Sequence, residues 1–92
     1  MTDARRLKIE GTVQGVGFRA FLSRSARARG LRGWVRNRSD GSVEALLIGD
    51  EAAVKAVIEQ CRHGPPLARV ERLEAVTGQD DGVRDFTERA TV

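Results

Sequence analysis

Leu7-Lys8-Ile9-Glu10-Gly11-Thr12-Val13-Gln14-Gly15-Val16-Gly17-Phe18-Arg19-Ala20-Phe21-Leu22 changes its hydrophobic period partway along. Leu7, Ile9, Gly11 and Val13 alternate with Lys8, Glu10 and Thr12, the period of two that a half-buried strand requires. From Phe18 the spacing turns helical, through Phe21, Leu22, Ser25 and Ala28, until Gly30 stops it. A glycine-loosened turn therefore joins a strand to an amphipathic helix. Glycines let successive backbone N–H groups point inward, and a helix N-terminus adds its positive end, so Gln14, Gly15, Val16, Gly17 and Phe18 read as a cradle for a small anion. Arg19 closes the motif with a planar fork that fits two phosphate oxygens. No Gly-Lys-Ser/Thr follows, so this is not a nucleotide P-loop.

The rest of the chain extends the pattern. Leu31, Gly33, Val35 and Asn37 fall on one face of a second strand, and Asp40-Gly41 marks a hairpin into a third strand from Ser42 to Ile48. Gly49-Asp50 opens a second helix, with Val54, Val57, Ile58 and Cys61 at i, i+3, i+4 and i+7, and Gly64-Pro65-Pro66 ends it. Ala68 to Thr77 is a fourth strand whose alternation slips between Val70 and Leu73, which predicts a bulge near Glu71 and Arg72. Gly78 to Gly82 is a polar loop, and Val83 to Arg89 a short last strand anchored by Phe86. The order predicts one α+β domain over residues 1–92, a ferredoxin-like βαββαβ sandwich. Its sheet is antiparallel with two helices on one face, plus a short C-terminal strand.

That topology carries a consequence for Asn37. The first and second strands run parallel with the third between them, so their C-terminal ends share one edge, about two strand spacings or roughly 10 Å apart. The glycine turn leaves one end and Asn37 sits at the other. Asn37 shares parity with Leu31 and Val35 and is expected to face the helices, opposite Arg19 across one pocket. Its neutral amide can orient water without changing its own charge.

Composition bounds the rest. Sixteen basic residues exceed thirteen acidic ones in a chain of 92 residues. The stretch from Arg19 to Arg38 holds seven arginines and no acid, and it reads as an electrostatic funnel for an anion. Cys61 is the only cysteine, which excludes an internal disulfide and points to a reducing compartment; in the apolar stripe of its helix it reads as core filling. No apolar run approaches the roughly 20 residues that span a bilayer, and no signal-peptide pattern opens the chain, so a soluble cytoplasmic protein is expected. Trp34 reads as packing, His63 as a helix-end residue, and Asn37-Arg38-Ser39 as a coincidental glycosylation sequon. No His/Cys cluster supports a metal, and no cofactor is expected.

Gly11 to Arg19 and Gly33-Trp34-Val35-Arg36-Asn37, followed by Asp40-Gly41-Ser42-Val43-Glu44, resemble the two signatures of the acylphosphatases, and the resemblance runs from about Leu7 to Arg89. It implies hydrolysis of the carboxyl–phosphate bond of acyl phosphates, without metal or cofactor. Arg19 would then bind the phosphate and Asn37 orient the attacking water, with inorganic phosphate as product and inhibitor. The last residues, Phe86 to Val92, depart from the family's more usual aromatic-terminated strand.

Two other classes share these features. An acylphosphatase-like module of a carbamoyl-phosphate-handling hydrogenase-maturation protein resembles this chain, but such modules usually carry proline where Ala20 stands and lack the Asp-Gly-x-Val-Glu sequence. An RNA-binding module of the RRM type shares the element order, but it stacks bases on strand aromatics. Leu7 to Val13 and Ser42 to Ile48 contain none. A small acyl phosphate is the expected partner, with no nucleic acid and no membrane. No coiled-coil seam demands a second copy, so a monomer is expected.

Overall fold

In the computed structural model, which describes residues 1–92, the period change at Val13–Phe18 is where β1 (Thr2–Thr12) gives way to α1 (Phe18–Ala28). The chain continues through β2 (Arg32–Asn37), β3 (Val43–Asp50), α2 (Glu51–His63), β4 (Arg69–Thr77) and β5 (Phe86–Arg89). Gly30, at φ 70°, ends α1. Its N–H donates to the Arg27 carbonyl and that of Leu31 to Ala26, which satisfies two of the carbonyls in the last turn of the helix.

The sheet order is β4-β1-β3-β2-β5. β3 pairs antiparallel with both β1 and β2, so β1 and β2 run parallel on either side of it, as the sequence predicts. The last strand also forms, but parallel to β2, from Gly33↔Phe86 to Arg36↔Arg89. The sheet is therefore mixed: four antiparallel strands and one parallel edge. Beyond β5 the backbone returns to the same edge at Val92, whose N–H donates to the Asn37 carbonyl and whose carbonyl accepts from Ser39 N–H. The terminal segment keeps its pairing without an aromatic end.

The predicted bulge is present. Glu10 pairs with Arg72 and Gly11 with Val70, leaving Glu71 as the extra residue of β4. Gly11 takes φ 127° there, and a Cβ on it would lie 2.1 Å from the Arg69 carbonyl oxygen. Only glycine fits at this point, shortly before the turn into α1.

Alternation assigns the two faces. Leu7, Ile9, Val35, Val43, Ala45 and Leu47 point to the helices and pack with Phe18, Leu22, Val54, Val57 and Phe86. Cys61 belongs to this core, and burial pushes its thiol up to about 12, consistent with an inert filling role. On the other face Trp34, Leu46 and Ile48 form a second, smaller cluster. Trp34 is only 2% exposed although no helix covers it. The guanidinium carbons of Arg36, Arg89 and Arg6 lie 4.6, 5.0 and 5.6 Å from its ring centroid, and its indole N–H donates to Asp81. The ring is roofed by cations that favour its π-face.

Glu44 holds that roof in place. Its carboxylate accepts from Arg36 Nε at 2.8 Å and Arg38 Nη1 at 3.0 Å, with Arg6 Nε at 3.7 Å. Burial pushes the Glu44 carboxyl up, but the arginine hydrogen bonds and charges together outweigh it and leave it below its ordinary value of 4.5. A lowered folded value means the stabilisation is present above pH 4.5 and is lost as pH falls through the folded value. Glu44→Gln is expected to cost about 1.5–3 kcal/mol at pH 7, the range for hydrogen bonds to charged groups. Thermal melts of both proteins from pH 7 to pH 3 should show the gap closing below pH 4.5; a gap that stays constant would contradict the charge-based account.

Candidate active site

The loop between β1 and α1 is fixed at both ends. Val13 and Phe18 are buried in the main core, and the Gln14 amide Nε2 donates to the carbonyls of Arg38 at 2.8 Å and Ser42 at 2.9 Å. Gln14 thereby ties the loop to the hairpin that follows Asn37. Gly15 and Gly17 sit at φ 73° and 81°, where a Cβ would meet nothing within 4 Å. Glycine is required for the left-handed backbone rather than for space, and alternating such residues turns N–H groups to one side. Gly17 caps α1 without any side-chain hydrogen bond, and the first turn holds no acidic residue. Nothing in the sequence of that turn competes with an anion for the free N–H groups.

Arg19 follows in the first turn of α1, half-buried. Its Nη1 donates to the Arg89 carbonyl on β5 at 3.3 Å, leaving the rest of the guanidinium free to bind. Asn37 ends β2 opposite Val43. Its backbone is held by Val92 on one side and by the Arg38 N–H to Ser42 carbonyl bond, 2.8 Å, on the other. Asp40 rigidifies the turn beyond it: its carboxylate accepts from Ser42 Oγ at 2.6 Å and Ser42 N–H at 2.9 Å. Those bonds, with Lys8 nearby, lower its carboxyl to about 2.

A cavity of about 190 Å³ opens where these elements meet, lined by Val13, Gly15, Gly17, Phe18, Arg19, Ala20, Asn37 and Glu88. The structure thus brings Arg19 and Asn37 to one pocket with the two loop glycines and Phe18, as the topology predicts. Gln14 and Val16 are outside the lining: the Gln14 side chain is turned to the hairpin and Val16 packs against the core. Glu88 was not foreseen. Its one signal is position, since it stands two residues after Phe86 on the inward row of β5, where an apolar residue is usual.

Much of the arginine-rich stretch also serves the fold. Arg27 donates twice to the Phe86 carbonyl, Arg32 pairs with Asp80, and Arg36 and Arg38 share Glu44. Four of the seven arginines are thereby committed to fastening β5, the polar loop and the open face. Their partners come from other segments of the chain, where a local reading of charge does not see them. His63 is exposed at the end of α2 and is not part of the lining. The open sheet face presents no stacking platform, because Trp34, the only aromatic residue there, is covered.

Fold and pocket together define a ferredoxin-like domain with a glycine-containing strand–turn–helix unit facing a strand-end amide. Comparison with known proteins narrows this class. The acylphosphatase family model matches residues 5–88. A curated acylphosphatase of Rhodopseudomonas palustris is 54% identical over 77 residues, which cover 84% of this chain and 78% of that protein. The crystal structure of acylphosphatase from Bacillus subtilis superimposes with a TM-score of 0.90 at 37% identity, covering 97% of this chain and 99% of that one. Full-length HypF, in a phosphate- and nucleotide-bound form, contains a region with a TM-score of 0.91 at 28% identity, covering 99% of this chain but 12% of HypF. The chain belongs to the acylphosphatase family, whose function is the hydrolysis of acyl phosphates, a hydrolase activity on acid anhydrides.

Proposed function

We propose that this chain hydrolyses acyl phosphates at the Arg19–Asn37 pocket. The phosphate group is held by the N–H groups of the Gly15–Phe18 turn and by the Arg19 guanidinium, while the Asn37 amide orients the attacking water. The observation that carries this reading is the convergence of Arg19, Asn37 and two left-handed glycines on one small cavity. The water oxygen attacks phosphorus as the bond from phosphorus to the acyl oxygen breaks, and the carboxylate leaves. An acyl phosphate is a mixed anhydride with a good leaving group, so the reaction needs position and charge stabilisation more than a strong base. With a permanent cation and a neutral amide in the key roles, the water's proton goes to an oxygen of the phosphate itself.

Inorganic phosphate, which carries the group the cradle binds, should compete with substrate. No helix is long and apolar enough to cross a membrane, and the lone buried cysteine suits a reducing cytoplasm. The reading as part of a larger hydrogenase-maturation protein rests on the HypF likeness at 28% identity. The curated acylphosphatases, matched over most of their own length at 48–54% identity in the stronger alignments, weigh against it.

Purified protein mixed with acetyl phosphate in EDTA tests the proposal. Arg19 and backbone N–H groups meet the phosphate charge, so hydrolysis is expected at the same rate with and without chelator. No hydrolysis, or a loss of most activity on chelation that Mg²⁺ or Zn²⁺ restores, would overturn the mechanism.

A further inference from the structure

A carboxylate lining an anion pocket opposes the pocket's main task, and Glu88 is such a group. The register accounts for its placement. Glu88 pairs with Val35 on β2, whose next inward residue is Asn37, and it follows Phe86 on the row of β5 that faces the core. It is exposed rather than buried, and it takes part in none of the molecule's ion pairs. Its neighbour Arg89 supplies the carbonyl that anchors Arg19, so Glu88 is carried on the same strand as the guanidinium's anchor. The phosphate belongs on the glycine turn and Arg19; the acyl group must then occupy the remaining part of the cavity, toward β2 and β5. An edge strand here could present an apolar residue at no electrostatic cost.

We propose that Glu88 determines substrate specificity by facing the acyl group: it selects acyl phosphates whose acyl part is neutral and rejects those whose acyl part bears a carboxylate. This rests on the placement of the phosphate at Gly15–Arg19 argued above. Like charges across a short, partly solvated gap repel, and the repulsion is worth about tenfold in rate at separations and effective dielectrics typical of a protein surface. Salt screens it.

The test compares kcat/KM for acetyl phosphate, neutral in its acyl part, with that for succinyl phosphate, which carries a distal carboxylate. Glu88 is exposed, so Glu88→Gln should keep the fold, which melting and Trp34 fluorescence verify. The wild type is expected to prefer acetyl phosphate, with a preference that shrinks as NaCl rises. Glu88→Gln should gain about tenfold on succinyl phosphate relative to acetyl phosphate and lose the salt dependence of the ratio. An equal gain on both substrates would place Glu88 against the phosphate or Arg19 and overturn the proposal; so would a ratio unchanged within twofold. Failure of the underlying phosphate site is separately visible, because inhibition by inorganic phosphate would then be indifferent to Arg19→Lys.

Discussion

Arg19→Lys is expected to weaken inhibition by inorganic phosphate and raise KM for acetyl phosphate by about ten- to a hundredfold, with the fold intact. The charge is kept, but the planar fork is lost, and a hydrogen bond to a charged group is worth roughly 1.5–3 kcal/mol. The structure sharpens the reason. Arg19 spends Nη1 on the Arg89 carbonyl, and that tether aims the remaining N–H groups at the cavity. A lysine ammonium is a single compact donor centre on a flexible stem; it cannot hold the β5 carbonyl and present a fixed pair of donors to phosphate. The side chain is half-buried at the start of α1 rather than in the core, so melting temperature should change little. Titration of phosphate against both folded proteins by calorimetry decides the point. Wild-type phosphate affinity in Arg19→Lys would move the anion site elsewhere.

The residues that were legible in advance are those whose signal is local. The switch from period two to helical spacing at Phe18, the stop at Gly30 and the slip at Glu71 each depend on a few neighbouring side chains, and each is where the sequence predicts. Even the meeting of Arg19 and Asn37 follows from two strand ends and a parity count. By contrast, β1 begins at Thr2 rather than near Leu7 because its first residues pair with β3, from Thr2↔Asp50 onward. Asp3, Ala4, Arg5 and Arg6 show no apolar alternation to announce that pairing. The role of Gln14 was hidden for the same reason: its partners, the carbonyls of Arg38 and Ser42, lie more than twenty residues away. Arg27, Arg32, Arg36 and Arg38 look like free charge until the Phe86 carbonyl, Asp80 and Glu44 are placed beside them. Glu88 enters the pocket only because β5 runs parallel to β2, and no pattern in four residues specifies that direction.

The same geometry separates binding from turnover at the other side of the pocket. Asn37→Ala is expected to lose about 10²–10³ in kcat, the usual effect of removing one preorganised polar group that acts in the transition state. Phosphate affinity should stay near the wild-type value, because the cradle and Arg19 are built from β1, α1 and β5. Asn37 stands instead at the end of β2. Its backbone is held by Val92 and by the hairpin closed at Asp40 and Ser42, so truncating the side chain removes the amide without moving the strand. Asn37→Asp should also turn over poorly, since a second carboxylate beside Glu88 would repel the anionic substrate. The measurement pairs phosphate affinity by calorimetry with kcat on acetyl phosphate for the same preparation of each variant. A near wild-type rate in Asn37→Ala would remove Asn37 from the chemistry. A loss of phosphate binding as severe as the loss of turnover would make it a phosphate ligand rather than the residue that orients water.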